Sequence, residues 1–197
     1  WGQTRLRVGA SASACHYILP KVIKELKKSF ERASIQLESG DTPELVDYIR
    51  QNRIDLVMGL EPDDLSGLEV RPMFSDELLF TFSSSHPWAR AKSIPRNEIA
   101  RQHFILYQLR SVTARLVENY FRSENITPPA LMEIADIEAI KEMVKLNLGV
   151  AILAPWTTVR ELKKGSLQMR AVGARTLKRK WVIVSRFGRR FSLIEET

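Results

Sequence analysis

Two stretches of small hydroxyl residues stand where a strand hands over to a helix. The first is Ser11-Ala12-Ser13, after the alternating run Arg5-Leu6-Arg7-Val8-Gly9. The second is the polar loop Gln108 to Thr113, after His103-Phe104-Ile105-Leu106-Tyr107. A strand, a short turn and a helix start direct unpaired backbone N–H groups and hydroxyls at one spot, which suits a small anion or polar ligand. The alternative is that Ser11 or Ser13 merely caps the helix. Cys15 lies near the same helix start, where a thiolate would be favoured, although a lone cysteine of this kind also serves as a small core filler. His16, His86 and His103 have no metal-ligand spacing and no acid at motif distance, so neither a metal site nor a hydrolase is supported. Asp63-Asp64 and Asp76-Glu77 read as turn residues rather than a catalytic pair. The expectation is a binding protein without catalytic residues, cofactor or metal.

The chain has 197 residues, enough for one large or two small domains with ample core. Hydrophobic residues make up 44% and charged residues 27%, ordinary values for a soluble globular protein. No apolar run reaches the roughly 18 residues of a membrane span. No basic and apolar leader is visible, and Cys15 is the only cysteine, so a cytoplasmic protein without membrane contact is expected. The net charge of +7 favours acidic ligands or a nucleic-acid context. Much of the excess lies between Arg175 and Arg190, as a nucleic-acid patch or a solvated strand edge.

Period-2 alternation predicts strands at 5–9 and 34–39, and helical spacing of Ile18, Leu19, Val22, Ile23, Leu26 and Phe30 predicts the helix between them. Asp41 or Thr42 opens a second helix to about Gln51, and Ile54–Gly59 is a buried parallel strand. The segment 68–74 reads as an edge strand and 78–82 as a separate buried one, followed by a turn-prone crossing at Ser83–Trp88. The same logic then repeats. Strand 103–107 precedes a helix carrying Leu116, Val117, Tyr120 and Phe121. Strand 131–134 precedes a helix from Ile137, and 149–155 is a turn and a strand stopped by Pro155. A short helix to Lys163 and strands at 167–172 and 181–185 complete the chain. The prediction is an α/β fold of two Rossmann-like subdomains joined by two crossover strands. Subdomain I comprises 1–82 and 173–197, and subdomain II 83–172. Ligands of such sheets sit outside the carboxyl ends of the strands.

In this order the segments resemble the effector-binding domain of LysR-type transcriptional regulators. Leu6-Arg7-Val8-Gly9 followed by serine is similar to the family's opening strand and turn, and Ile54–Gly59 to its third strand. His86-Pro87 after Phe80–Phe82 resembles its crossover. The most specific match runs from Glu138-Ala139-Ile140 through Val144 to Leu148-Gly149-Val150-Ala151-Ile152-Leu153-Ala154-Pro155. Asn147 stands where a glycine is usual and Trp88 where a leucine is usual.

The resemblance implies a type-2 periplasmic-binding-protein-like fold that binds a small-molecule coinducer in the cleft between subdomains. Ser11, Ala12 and Ser13 would form one wall. Gln108, Arg110, Ser111 and Thr113 would form the other, with Arg110 either a carboxylate or phosphate partner or solvated. Gly59, Leu60 and Ala154 would line the floor. It also implies a homodimer, with Leu19 to Phe30 and Ser34 to Ser39 packed against the partner's 113–121 and 131–134, and a tetramer in the full-length protein. A winged helix-turn-helix reading DNA would precede residue 1. A solute-binding protein of a transport system shares this fold and is the alternative.

Overall fold

The computed structural model describes residues 5–107, 111–172 and 176–196 and, for Ala130 and Leu131, the backbone alone. The chain divides into two compact units, Trp1–Ser75 with Lys180–Thr197, and Asp76–Arg179.

The first unit opens with β1 (Arg5–Ala10), α1 (Ala12–Tyr17), α2 (Leu19–Ser29), β2 (Ser34–Ser39), α3 (Thr42–Arg50) and β3 (Leu56–Leu60). β1 pairs in parallel with β2 on one side and β3 on the other. Leu45, Val46 and Ile49 of α3 pack with Ile54 and Val57, as expected of a helix covering a parallel sheet. Gly9 lies within β1. A Cβ there would come 2.6 Å from Ile54 Cδ1 and 3.0 Å from Leu45 Cδ2, so glycine answers to close helix packing. Helix formation also begins earlier than periodicity suggested, at Ala12, with a break at Ile18 before Pro20 starts α2.

Leu68–Ser83 is one 16-residue strand, β4, which leaves the first unit and enters the second. The sequence predicted two strands parted by a turn at Asp76-Glu77. The turn is absent because Asp76 is held by a buried ion pair with Arg179 instead of facing solvent.

In the second unit, α4 (Arg96–Ile99), β5 (Phe104–Tyr107), α5 (Val112–Ser123), β6 (Ala130–Ile134), α6 (Ile137–Lys145) and β7 (Ala151–Leu153) follow. Then come α7 (Val159–Lys164), β8 (Leu167–Arg170) and β9 (Leu177–Arg186), the last of which carries the chain back to the first unit. β5 and β6 are parallel, Phe104 bridges in parallel to Val150, and β7 and β8 lie antiparallel to β4. The core gathers Phe80, Phe82, Trp88, Phe104, Tyr120 and Phe121, whose rings meet tilted or edge-on. The crossing expected at Ser83–Trp88 is instead a turn inside the second unit, where His86 accepts the Trp88 N–H on Nδ1 at 3.2 Å. Burial holds the His86 pKa below the usual histidine value, although its hydrogen bond with Gln102 pulls the other way. Asn147 adopts φ +59°, the left-handed conformation that asparagine tolerates in place of glycine. Lys141 of α6 is buried, with Nζ 2.8 Å from Glu138 and 3.3 Å from Glu161, and donates to the Thr157 carbonyl at 3.0 Å.

Beyond Arg186 the first unit ends with α8 (Leu193–Glu196). β9 runs antiparallel to β3, and of its basic residues Lys178, Lys180 and Arg186 are exposed while Arg179 is buried. Lys180 pairs with Glu61 at 3.1 Å, and Arg189 contacts Asp55 at 3.2 Å and Glu195 at 2.6 Å. Among the basic residues of β9 only Arg179, 9% exposed, is withdrawn from solvent. Arg175 lies outside the described residues.

Asp55 fastens β1 to the segment entering β3. It accepts from Arg7 N at 2.9 Å, from Nε at 3.1 Å and from Nη2 at 2.7 Å. Burial alone would raise its pKa, but the bonds from Arg7 and the charge of Arg189 outweigh that and leave it below the ordinary 3.8. A carboxyl depressed in the folded state stabilises fully above its unfolded pKa. That stability is lost as pH falls through the folded value. Asp55→Asn should cost about 1–3 kcal/mol at pH 7, as for hydrogen bonds to charged groups. Its urea midpoint should also fall less steeply than wild type below pH 3.8. Parallel midpoint curves for the two proteins would contradict this.

Candidate functional site

The two strand-to-helix handovers are built alike. Ser11 follows β1 with extended backbone angles, and its Oγ accepts the N–H of Ala14 at 3.4 Å. Ser111 precedes α5 with nearly the same angles, and its Oγ accepts the N–H of Ala114 at 3.0 Å. Each cap satisfies one of the orphan donors of its helix start. A second hydroxyl stands two residues on, Ser13 in the first unit and Thr113 in the second. Ser11 and Ser13 lie 3.3 Å apart through their Oγ atoms. Both readings of these serines are thus compatible, because a hydroxyl that accepts from the backbone retains a proton to donate.

Ser11, Ser13 and Thr113 are half-buried, Ala12 is exposed, and Ser111 is buried. Gln108 and Arg110 lie outside the described residues. Gly59 and Leu60 belong to β3 itself, paired with Val182 and Trp181, and are buried. A Cβ on Gly59 would meet Thr42 Oγ1 at 2.8 Å, so that space is already occupied. Ala154 is buried at the start of the 3-10 turn Pro155–Thr157, and its carbonyl accepts from Thr157 Oγ1 at 2.7 Å. The sequence also missed Thr42. Its buried hydroxyl accepts the Leu60 N–H at 3.2 Å, tying the start of α3 to the end of β3, whereas Asp41 at the N-cap makes no side-chain cap bond. A Thr-Pro pair at a helix start gives no hint of so distant a partner.

Thr113 accepts a hydrogen bond from Arg179 Nη1 at 3.0 Å. The same guanidinium grips Asp76, whose Oδ2 also accepts from Trp156 Nε1 at 2.7 Å. With side chains 8% and 7% exposed, removing either charge would strand the other, at a cost of about 3–5 kcal/mol. Cys15 does not have the character of a nucleophile. Burial pushes its thiol pKa up, a contact with Ser39 opposes this more weakly, and Sγ lies 3.6 Å from the Ala10 carbonyl. Among the described residues no group of three or more His, Cys, Asp or Glu could hold a metal ion. Nor is any helix among them long and apolar enough to cross a membrane.

The second unit also carries a groove of about 340 Å³. It is lined by Thr113, Ala114, Val117, Glu118, Phe121 and Arg122 of α5, by Ile105–Tyr107, by Ile126–Pro128, and by Ile152 and Leu153. In the first unit α2 buries only Leu19, leaving Val22 42% exposed, and Leu37 of the neighbouring strand β2 is likewise 42% exposed.

Comparison with known proteins identifies this architecture. The family model described as LysR substrate binding domain matches residues 2–195. The transcriptional regulator CbbR of Sinorhizobium medicae is 34% identical over 192 residues, 94% of this chain and 59% of that protein. The transcriptional activator CmpR of Synechocystis sp. is 25% identical over 189 residues, 95% of this chain and 62% of that protein. This chain thus spans about three-fifths of the length of these curated relatives. The regulatory domain of CcmR from Synechocystis PCC6803, solved in complex with 2-PG, superposes with a TM-score of 0.89 at 24% identity, covering 98% of this chain and 93% of that one. The relatives are named as transcriptional regulators, neither enzymes nor transport proteins. With its two α/β units and two connecting strands, the fold is type-2 periplasmic-binding-protein-like, and the chain belongs to the LysR substrate-binding domain family.

Proposed function

We propose that this chain is the effector-sensing part of a LysR-type regulator acting in the cytoplasm. It binds a small anionic metabolite and passes the signal to a DNA-reading segment of a longer protein. The observation that carries this reading is the doubled handover. Ser11-Ala12-Ser13-Ala14 and Ser111-Val112-Thr113-Ala114 each present a capped helix start and a second hydroxyl at the carboxyl end of a parallel strand. Helix starts favour negative charge, and two of them with four hydroxyls suit a carboxylate or phosphate. Ser11, Ala12 and Ser13 are the proposed contacts in the first unit, and Ser111 and Thr113 those in the second. Binding signals only if the ligand favours one arrangement of the protein over another. CcmR, a structural neighbour solved with 2-PG, makes that compound the first to try.

The chain is also proposed to form a twofold homodimer, and tetramers in the full-length protein. α2 and β2 of one protomer would lie against α5 and β6 of the other. The exposed Val22 and Leu37 on one side and the apolar groove beside α5 on the other support this pairing.

Calorimetric titration with a panel of anionic metabolites including 2-PG should give at least one ligand. Ser11→Ala and Ser111→Ala should each weaken it about fivefold or more, about 1 kcal/mol for a lost hydrogen bond. Equal affinity in wild type and both variants would remove these serines from the site. In sedimentation velocity, Val22→Glu should move the protein from dimer to monomer. An unchanged sedimentation coefficient would refute the α2 interface.

A further inference from the structure

Asp76 and Arg179 are the first and last residues of the second unit, so both passages of the chain between units run through one buried ion pair. Arg179 Nε donates to Asp76 Oδ1 at 2.9 Å and Nη2 to Oδ2, while Nη1 donates to Thr113 Oγ1 at 3.0 Å. Asp76 Oδ2 also accepts from Trp156 Nε1 at 2.7 Å, in the turn directly after β7. A guanidinium has donors and no acceptor, so Thr113 must be the acceptor of that bond. Its own hydroxyl proton then points away from Arg179. Two loops at carboxyl strand ends and two crossing strands are thus bonded to one carboxylate–guanidinium pair. The bidentate fork fixes the geometry of that pair as a single long cation could not.

We propose that Arg179 and Asp76 are positioning residues. They set the Thr113 hydroxyl as a hydrogen-bond donor toward an anionic ligand. They also link the start of α5 and the turn at Trp156 to the two points where the chain crosses between units. This rests on the effector-sensing function proposed above. Its distinguishing property is reciprocity, because an energetic coupling between two places acts equally in both directions. A pair that only props up the fold would show local effects.

Native-state amide hydrogen exchange on the full chain, without ligand, tests it. Thr113→Val keeps the shape and removes the acceptor. It should speed exchange about tenfold at 76–79 and 177–180, remote in sequence from the substitution. Asp76→Asn and Arg179→Lys should each speed exchange about tenfold or more at 114–116 and at Thr157 and Thr158. Exchange in α3 of the first unit should stay as in wild type. If Thr113→Val perturbs only the start of α5 and leaves both crossing segments at wild-type rates, the linkage does not exist. That outcome can be read even if Asp76→Asn fails to fold. No ligand enters the measurement, so a negative calorimetric screen would count against the effector reading and leave this result standing.

Discussion

A strand paired on both sides in a parallel arrangement cannot turn back on itself in two residues; it has to leave through a helix. The helix it enters begins with backbone N–H groups that have no partner of their own. This constraint governs both units. β1 runs into α1 through Ser11 and β5 runs into α5 through Ser111, and the same cap chemistry answers both handovers. A polar, hydroxyl-rich, electropositive spot is therefore a by-product of the topology itself.

Charge plays a second, quieter part. A net charge of +7 suggests a surface looking for an acidic partner, yet several of the cations are consumed inside the units. Arg7 and Arg189 converge on Asp55, Arg179 on Asp76, and Lys141 on Glu138 and Glu161. Each buried pair trades desolvation for a fixed geometry, so its value lies in holding elements in register rather than in net stability. Asp55 joins the β1 backbone to the C-terminal segment, and Asp76 joins β4 to β9.

One surface of the first unit contrasts with these interiors. α2 is amphipathic yet buries one residue, and β2 is an edge strand with an exposed leucine. A row of exposed strand groups beside apolar side chains invites pairing, and proteins usually cover such an edge.

Much of the architecture was legible in the chain because it rests on local periodicity. The βαβ rhythm, the helix under Leu45, Val46 and Ile49, and the serines at the helix starts all follow from spacing within a dozen residues. Asn147 was visible as an oddity, and its φ of +59° shows that it does the work of the usual glycine. Partners far apart in sequence were not legible. Asp76 looked like a turn residue, because nothing near it reveals Arg179, 103 positions away, and without that cation a buried aspartate in mid-strand makes no sense. The need for glycine at position 9 was not legible either, because Ile54 and Leu45 fill the space beside it only after the helix packs down. Thr42 looked like a plain helix opener until β3 brought the Leu60 N–H to its hydroxyl. The sequence by itself determined where strands and helices alternate, since backbone sterics and side-chain periodicity act over short range. Tertiary structure alone decided which polar groups are spent inside, since each buried charge is tolerable only beside a partner that folding delivers.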